Sequence, residues 1–294
     1  MKKYATLTAE ESRRRKNRKR FLRKLTAYIL LSLIGVSTVL PFLWMVSTSL
    51  KEPQAVFIQL KPWWRNWIPP KIVWSNYYRA WKAVPFGRFY LNSIIVAVCV
   101  TAGVVFTSSF AAYAFSRLNF PGRDKLFFAY IATMMIPGSV IIIPQFALIR
   151  ILGWIDTYRA LIIPAMFTAF GTFLLRQFFM TIPKDLEDAA KIDGCGYFGI
   201  YWRIILPLSK PALSTLTIFT FQGNWGSFMW PLLVTNRTEL RTLPIGLEYF
   251  KSQYTTDWTL LMAGSVMVIL PIILLFIFNQ RFFVEGVKLT GIKG

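Results

Sequence analysis

Six apolar stretches of roughly 20 residues each, near 26–48, 91–115, 126–149, 160–180, 209–234 and 259–280, alternate with segments that hold almost all of the charge. A run of that length matches the hydrocarbon thickness of a bilayer. There the backbone has no water to bond to and must satisfy itself as a helix. Hydrophobic residues make up 55% of the chain and charged ones 16%, with mean hydropathy +0.46. The pattern predicts an all-α polytopic membrane protein of six transmembrane helices embedded in a lipid bilayer. The first stretch is kept as a span because it exceeds a usual signal-peptide core and shows no clear cleavage site before Lys51.

Charge sets the expected orientation. Of 34 basic residues, eleven lie in the first 24 positions, just before the first span. In a membrane chain with a net charge of +21 this reads as a cytoplasmic flank rather than a nucleic-acid arm, so no nucleic-acid partner is expected. With the N-terminus inside, 21 basic residues fall on the cytoplasmic side and twelve outside, Arg176 lying near a boundary. Both termini are therefore expected in the cytoplasm. The external segment 51–88 carries seven basic residues against this trend, but its Trp63, Trp64, Trp67, Trp74 and Trp81 suit an interfacial aromatic belt. The cluster Arg13–Lys24 also suits anionic lipid headgroups.

Several chemistries are excluded. Histidine is absent, which removes His-dependent triads and His metal clusters; no metal site is expected. Cys99 and Cys195 fall at different depths and read as unpaired thiols. No acidic residue lies inside a span, so ion coupling through buried carboxylates has no candidate, and no G-x-x-x-x-G-K-[ST] loop is present. The chain is not expected to be an enzyme. If it transports, a separate ATPase must supply the energy.

One charged segment between the fourth and fifth stretches concentrates four of the thirteen acidic residues in the nine positions 185–193. Pro183 suits a first helical turn, and Asp185, Glu187 and Asp188 place negative charge at its positive end. Leu186, Ala189 and Ala190 recur on one face at helical spacing, and Gly194 supplies a left-handed stop. Tyr197, Ile200, Tyr201 and Ile204 form a second stripe before Pro207 and Pro211. A short helix, a turn and a second helix follow from periodicity, which leaves open a plain amphipathic connector lying on the bilayer surface.

The spacing Asp188-Ala189-Ala190, three residues, Gly194, nine residues, Ile204, one residue, Leu206-Pro207 resembles the E-A-A-x3-G-x9-I-x-L-P signature of ABC importer permeases. Met135-Ile136-Pro137, Ile143-Pro144-Gln145, Leu152-Gly153, Asp156-Thr157-Tyr158, Asn224-Trp225, Trp230-Pro231-Leu232 and the ending Gly286–Gly294 are similar to carbohydrate-uptake permeases of the maltose type, the MalG-like half in particular. The resemblance implies a type I importer permease fold with a cytoplasmic coupling helix between spans four and five. The implied ATPase-coupling residues are Glu187, Asp188, Ala189, Ala190, Asp193, Gly194, Ile204, Leu206 and Pro207. Asp188 departs from the family's Glu, keeping the charge on a shorter arm. A tail through Thr290, Gly291, Lys293 and Gly294 would also reach the ATPase.

By the same resemblance the partners would be a second, MalF-like permease, a dimeric ABC ATPase and an extracytoplasmic solute-binding protein. Localisation would be the bacterial inner (plasma) membrane, and ATP and Mg would bind the ATPase, with no cofactor on this chain. The external loop 235–257 would meet the binding protein through Arg237, Glu239, Arg241, Tyr249 and Tyr254. Along the spans, Gln145, Gln222, Asn224, Trp225, Ser227 and Trp230 are types that bind sugars, and equally types that bond one helix to another. The expected organisation is a leader (1–25), a first span with its Trp-rich segment (26–88), a five-span core (89–282) containing the loop 183–207, and a tail (283–294). The implied function is ATP-driven import of an oligosaccharide or related carbohydrate by alternating access. A channel or scaffold, or an importer of a non-sugar solute, remains the alternative, and the basic external segments leave an acidic sugar open.

Overall fold

A computed structural model of the chain describes residues 9–58, 61–251 and 256–291. Among them the regular elements are all helical, with no β-strand. Helix α1 (Ala9–Ser49) is followed by two short 3-10 turns, α2 (Ser75–Ala83), α3 (Phe86–Arg117), α4 (Arg123–Ala132), α5 (Gly138–Ile151) and α6 (Tyr158–Ile162). Then come α7 (Ala169–Phe179), α8 (Asp185–Ile192), α9 (Tyr197–Ile200), a π turn, α10 (Leu206–Leu208), α11 (Lys210–Trp225), α12 (Met229–Val234), α13 (Leu243–Glu248) and α14 (Trp258–Gly291).

Among the described residues, four helices are long and apolar enough to cross a membrane, namely Arg14–Ser49, Phe86–Arg117, Tyr158–Phe179 and Trp258–Phe278, and up to six if two bent pairs each count as one span. Those bends modify the expected straight runs. Between Met135 and Gly138 the chain turns by 99°, because Pro137 forces Ile136 out of the helical region (φ −83°, ψ 118°). A second bend of 76° falls at Ser209, between α10 and α11. That break lies between Pro207 and Pro211, each of which sits in the first turn of its own helix. The expected stretch 209–234 also divides, since α11 ends at Trp225 and α12 is a separate short helix.

The centre of the fold is α3, packed along α7 and α11. Small residues bring these helices close: a Cβ on Gly171 would stand 2.5 Å from Ser108 Oγ. One core cluster joins Val100, Val104, Leu175, Phe179, Tyr201, Ile205 and Leu216, and a second joins Phe86, Phe89, Trp225, Leu243 and Leu261 near the start of α3. By contrast, no residue in the most apolar window of α1 is buried within this chain, although α1 packs along α14. At 1.5 Å per residue its 41 residues span about 60 Å, roughly twice a bilayer core, so the basic N-terminal end projects beyond it. Cys99 lies in α3 and Cys195 beyond α8, both free.

Candidate functional site

Two regions at opposite ends of α3 gather the polar side chains. At the Arg117 end, α8 begins with Asp185, Glu187 and Asp188 in its first turn and ends with Lys191 in its last, matching the helix dipole at both ends. Its stop is a Schellman turn: Cys195 N–H donates to Ala190 O (2.8 Å) and Gly194 N–H to Lys191 O (3.0 Å), with Gly194 left-handed at φ +82°.

The expected apolar face of α8 is split. Leu186, Ala189 and Ile192 point to solvent, Ile192 at 87% exposure, whereas Ala190 and Glu187 turn inward. Glu187 therefore does not offer its carboxylate to a partner. It stands 2.9 Å from Arg117 Nε, and both side chains are under a tenth exposed. Neither atom reaches hydrogen-bond geometry with the other, so the contact is an ion pair, not a directed bond. A second guanidinium nitrogen donates to Phe179 O, at the end of α7, and to Ile182 O just beyond it (2.7 Å). One cation thus closes α7 and holds α8, both onto α3. Nearby, Tyr113 O–H donates to Tyr197 O (3.0 Å), and the Ser109 and Tyr201 hydroxyls pair at 2.8 Å.

Asp188 is exposed and pairs with Lys191 (2.9 Å). The hydrogen bond from that ammonium holds the carboxyl below its ordinary range and raises Lys191. Asp193, Gly194 and Pro207 are exposed, and Ile204 and Leu206 half-buried. Thr290 and Gly291 close α14, while Lys293 and Gly294 lie outside the described residues.

At the other end, a cavity of about 270 Å³ opens beside the 99° bend. Ser93, Gln145, Asn224, Ser227, Trp230 and Thr242 supply its polar lining. Four of the six expected path residues meet here. The other two do not: Gln222 is exposed elsewhere, and Trp225 is buried with its indole N–H on Val268 O (2.9 Å), since a buried indole needs an acceptor. Trp230 lines the cavity with its ring while its own N–H is spent on Ala160 O (2.9 Å).

The loop after α12 is tied down over this cavity. Asn92, fully buried, donates to Glu239 O and Arg241 O (both 2.8 Å) and accepts from the Tyr158 hydroxyl (2.6 Å). Asp156, left-handed at φ +57°, accepts from the backbone N–H groups of Asn236 (2.6 Å) and Arg237 (2.9 Å). Desolvation pushes its carboxyl up, but these backbone bonds and the Asn236 amide outweigh it and hold it below the ordinary carboxylate range. Arg241 stacks on Tyr249 (5.4 Å to the ring) and bonds its hydroxyl; Tyr254 lies outside the described residues. Arg117 and Asn92 were absent from the expected site. Each reads as a routine span-end residue, since nothing in local spacing reveals partners so distant in the chain.

Residues 103–287, which include α8 and its flanking turns, match the family model described as binding-protein-dependent transport system inner membrane component. The chain is 34% identical over 279 residues to the probable ABC transporter permease protein YurM of Bacillus subtilis (strain 168), covering 94% of this chain and 91% of that one. It is 38% identical to the arabinooligosaccharides transport system permease protein AraQ of Halalkalibacterium halodurans, over 69% of this chain and 73% of that protein. Its fold superposes with a TM-score of 0.79, at 25% identity and over 90% of this chain and 98% of the other, on a chain of a bacterial ABC transporter involved in import of the acidic polysaccharide alginate. By the extent of these matches, the chain belongs to the family of binding-protein-dependent transport system inner membrane components.

Proposed function

We propose that this chain is the membrane-spanning permease subunit of an ABC importer for oligosaccharides or related carbohydrates, with α8 as the coupling helix that a separate ATPase grips. The observation that carries this reading is the two-sided character of α8. Leu186, Ala189 and Ile192 are left uncovered on one side, and Glu187 is clamped to Arg117 on the other. A surface connector has no use for a buried ion pair; a lever does.

When the ATPases close on bound ATP and Mg, α8 moves with them. Arg117 carries that displacement to α3 and α7 together, and α3 contributes Ser93 to the cavity wall. The cavity opens outward and receives substrate from a solute-binding protein, which would approach the tethered loop 235–257. A second permease completes the pathway and covers the bare face of α1. On this reading α8 and both termini are cytoplasmic, and the membrane is the bacterial inner membrane.

The test is a single-cysteine crosslink. Ala189→Cys, with Cys99 and Cys195 replaced by Ser, is expected to crosslink to a cysteine in the ATPase cleft, and Gly194→Asp to abolish uptake. Copurification of no ATPase in mild detergent, together with undiminished uptake by Gly194→Asp, overturns the reading.

A further inference from the structure

The cavity beside the 99° bend is walled by α3, α5, α6, α11 and α12, and none of its lining side chains carries a charge. Its polar groups are not all spoken for. Thr242 is 4% exposed, and its Oγ1 has no hydrogen-bond partner among the described residues. A buried hydroxyl left so is costly, unless an occupant completes the bond. Ser93 Oγ accepts from Leu243 N–H (2.9 Å), which leaves its own proton to donate. Asn224 donates one N–H to Thr220 O (2.8 Å), leaving Oδ1 as an acceptor. Trp230, its N–H already committed, offers only its ring.

Resting on the importer reading above, we infer that this cavity is a sugar subsite on this chain, taking one uncharged, hydroxyl-rich ring and excluding uronates. Hydroxyls match neutral donors and acceptors, and a ring's apolar face packs on Trp230. A carboxylate entering here leaves its hydration shell and finds no cation in the wall. Of the cations close by in the chain, Arg88 donates to Glu239 O (3.1 Å) and Arg241 lies over the Tyr249 ring, and neither is among the residues that line the cavity. Basic external charge therefore does not extend into the cavity.

The experiment uses the assembled importer with its partner permease and ATPase in nanodiscs. Saturation-transfer NMR is recorded with arabinobiose, maltose and digalacturonate as probes, beside ATPase stimulation by the binding protein. A neutral disaccharide is expected to give signal and digalacturonate none. Thr242→Val is expected to weaken that binding about three- to tenfold, the loss of one hydrogen bond, with thermal stability unchanged or raised because no bond within the chain is removed. Digalacturonate binding as well as the neutral probes, or Thr242→Val and Asn224→Leu both binding like wild type, overturns the inference. Silence from all three probes also overturns it when the binding protein still stimulates the ATPase. Loss of that stimulation in the wild-type assembly overturns the importer reading instead.

Discussion

Arg117 Nε lies 2.9 Å from Glu187 Oε1 in a site where both side chains are more than nine-tenths buried, and the same guanidinium donates to Phe179 O, the last carbonyl of α7, and to Ile182 O just beyond it. Three helices meet at one cation. Buried pairs are asymmetric in their energetics, because removing either partner strands the other without water, whereas replacing both does not.

Glu187→Leu is therefore expected to destabilise the protein by about 3–5 kcal/mol, and Arg117→Met by at least as much because these carbonyls lose their donor too. The double replacement recovers a large part of the stability. Thermal unfolding in detergent measures this, and a double variant no more stable than the singles contradicts it. On the coupling reading, the double variant also hydrolyses ATP with reduced uptake per ATP.

Asp156 predicts a pH dependence. Its carboxyl titrates below the unfolded value in the folded chain, so its contribution to stability is complete above about pH 4 and is lost as pH falls through the folded pKa. Asp156→Asn keeps the left-handed backbone tolerable and removes the charge. Comparing unfolding temperatures at pH 7 and pH 3.5, the wild type is expected to lose more than Asp156→Asn. Equal losses refute the assignment.

Asn92 predicts a loosening confined to one loop. Asn92→Leu leaves the Glu239 and Arg241 carbonyls and the Tyr158 hydroxyl without their partner, at a cost of about 1–3 kcal/mol for each group that stays buried. Tyr158→Phe removes a single contact and costs less. Hydrogen exchange across 236–243 is expected to accelerate in the first variant far more than in the second, with 185–205 unaffected.

The spacing of apolar residues revealed the spans because lipid imposes one length on all of them, and Gly194 was legible because a left-handed stop favours one residue type. Pairings across distance were not. Nothing near Glu187 announces that Arg117 faces it, so by sequence Glu187 groups with the residues that would meet the ATPase. The same blindness assigned Trp225 to a sugar path, when its acceptor lies on α14. Nor does a proline in an apolar run declare a right-angle bend, since membrane helices often keep their course through proline. Asp188, where the resemblance placed a charge for the ATPase, already holds Lys191 within this chain.

Gly194 separates backbone from side-chain effects in the turn after α8. A Cβ there meets nothing within 4 Å, so substitution is opposed only by φ +82°. Gly194→Ala is expected to cost about 1–2 kcal/mol, and Gly194→Asn less, because Asn visits the left-handed region more readily. Gly196 is the control: it also has open space, but its φ of −74° suits any residue, so Gly196→Ala is expected to be neutral. A crosslink from Ala189→Cys to the ATPase should weaken with Gly194→Ala and persist with Gly196→Ala, because only the first disturbs the bonds from Gly194 and Cys195 that close the helix. Equal crosslinking in both would mean that the exposed face of α8 does not depend on its Schellman stop, and the partner would then be gripping something other than the helix that this glycine ends.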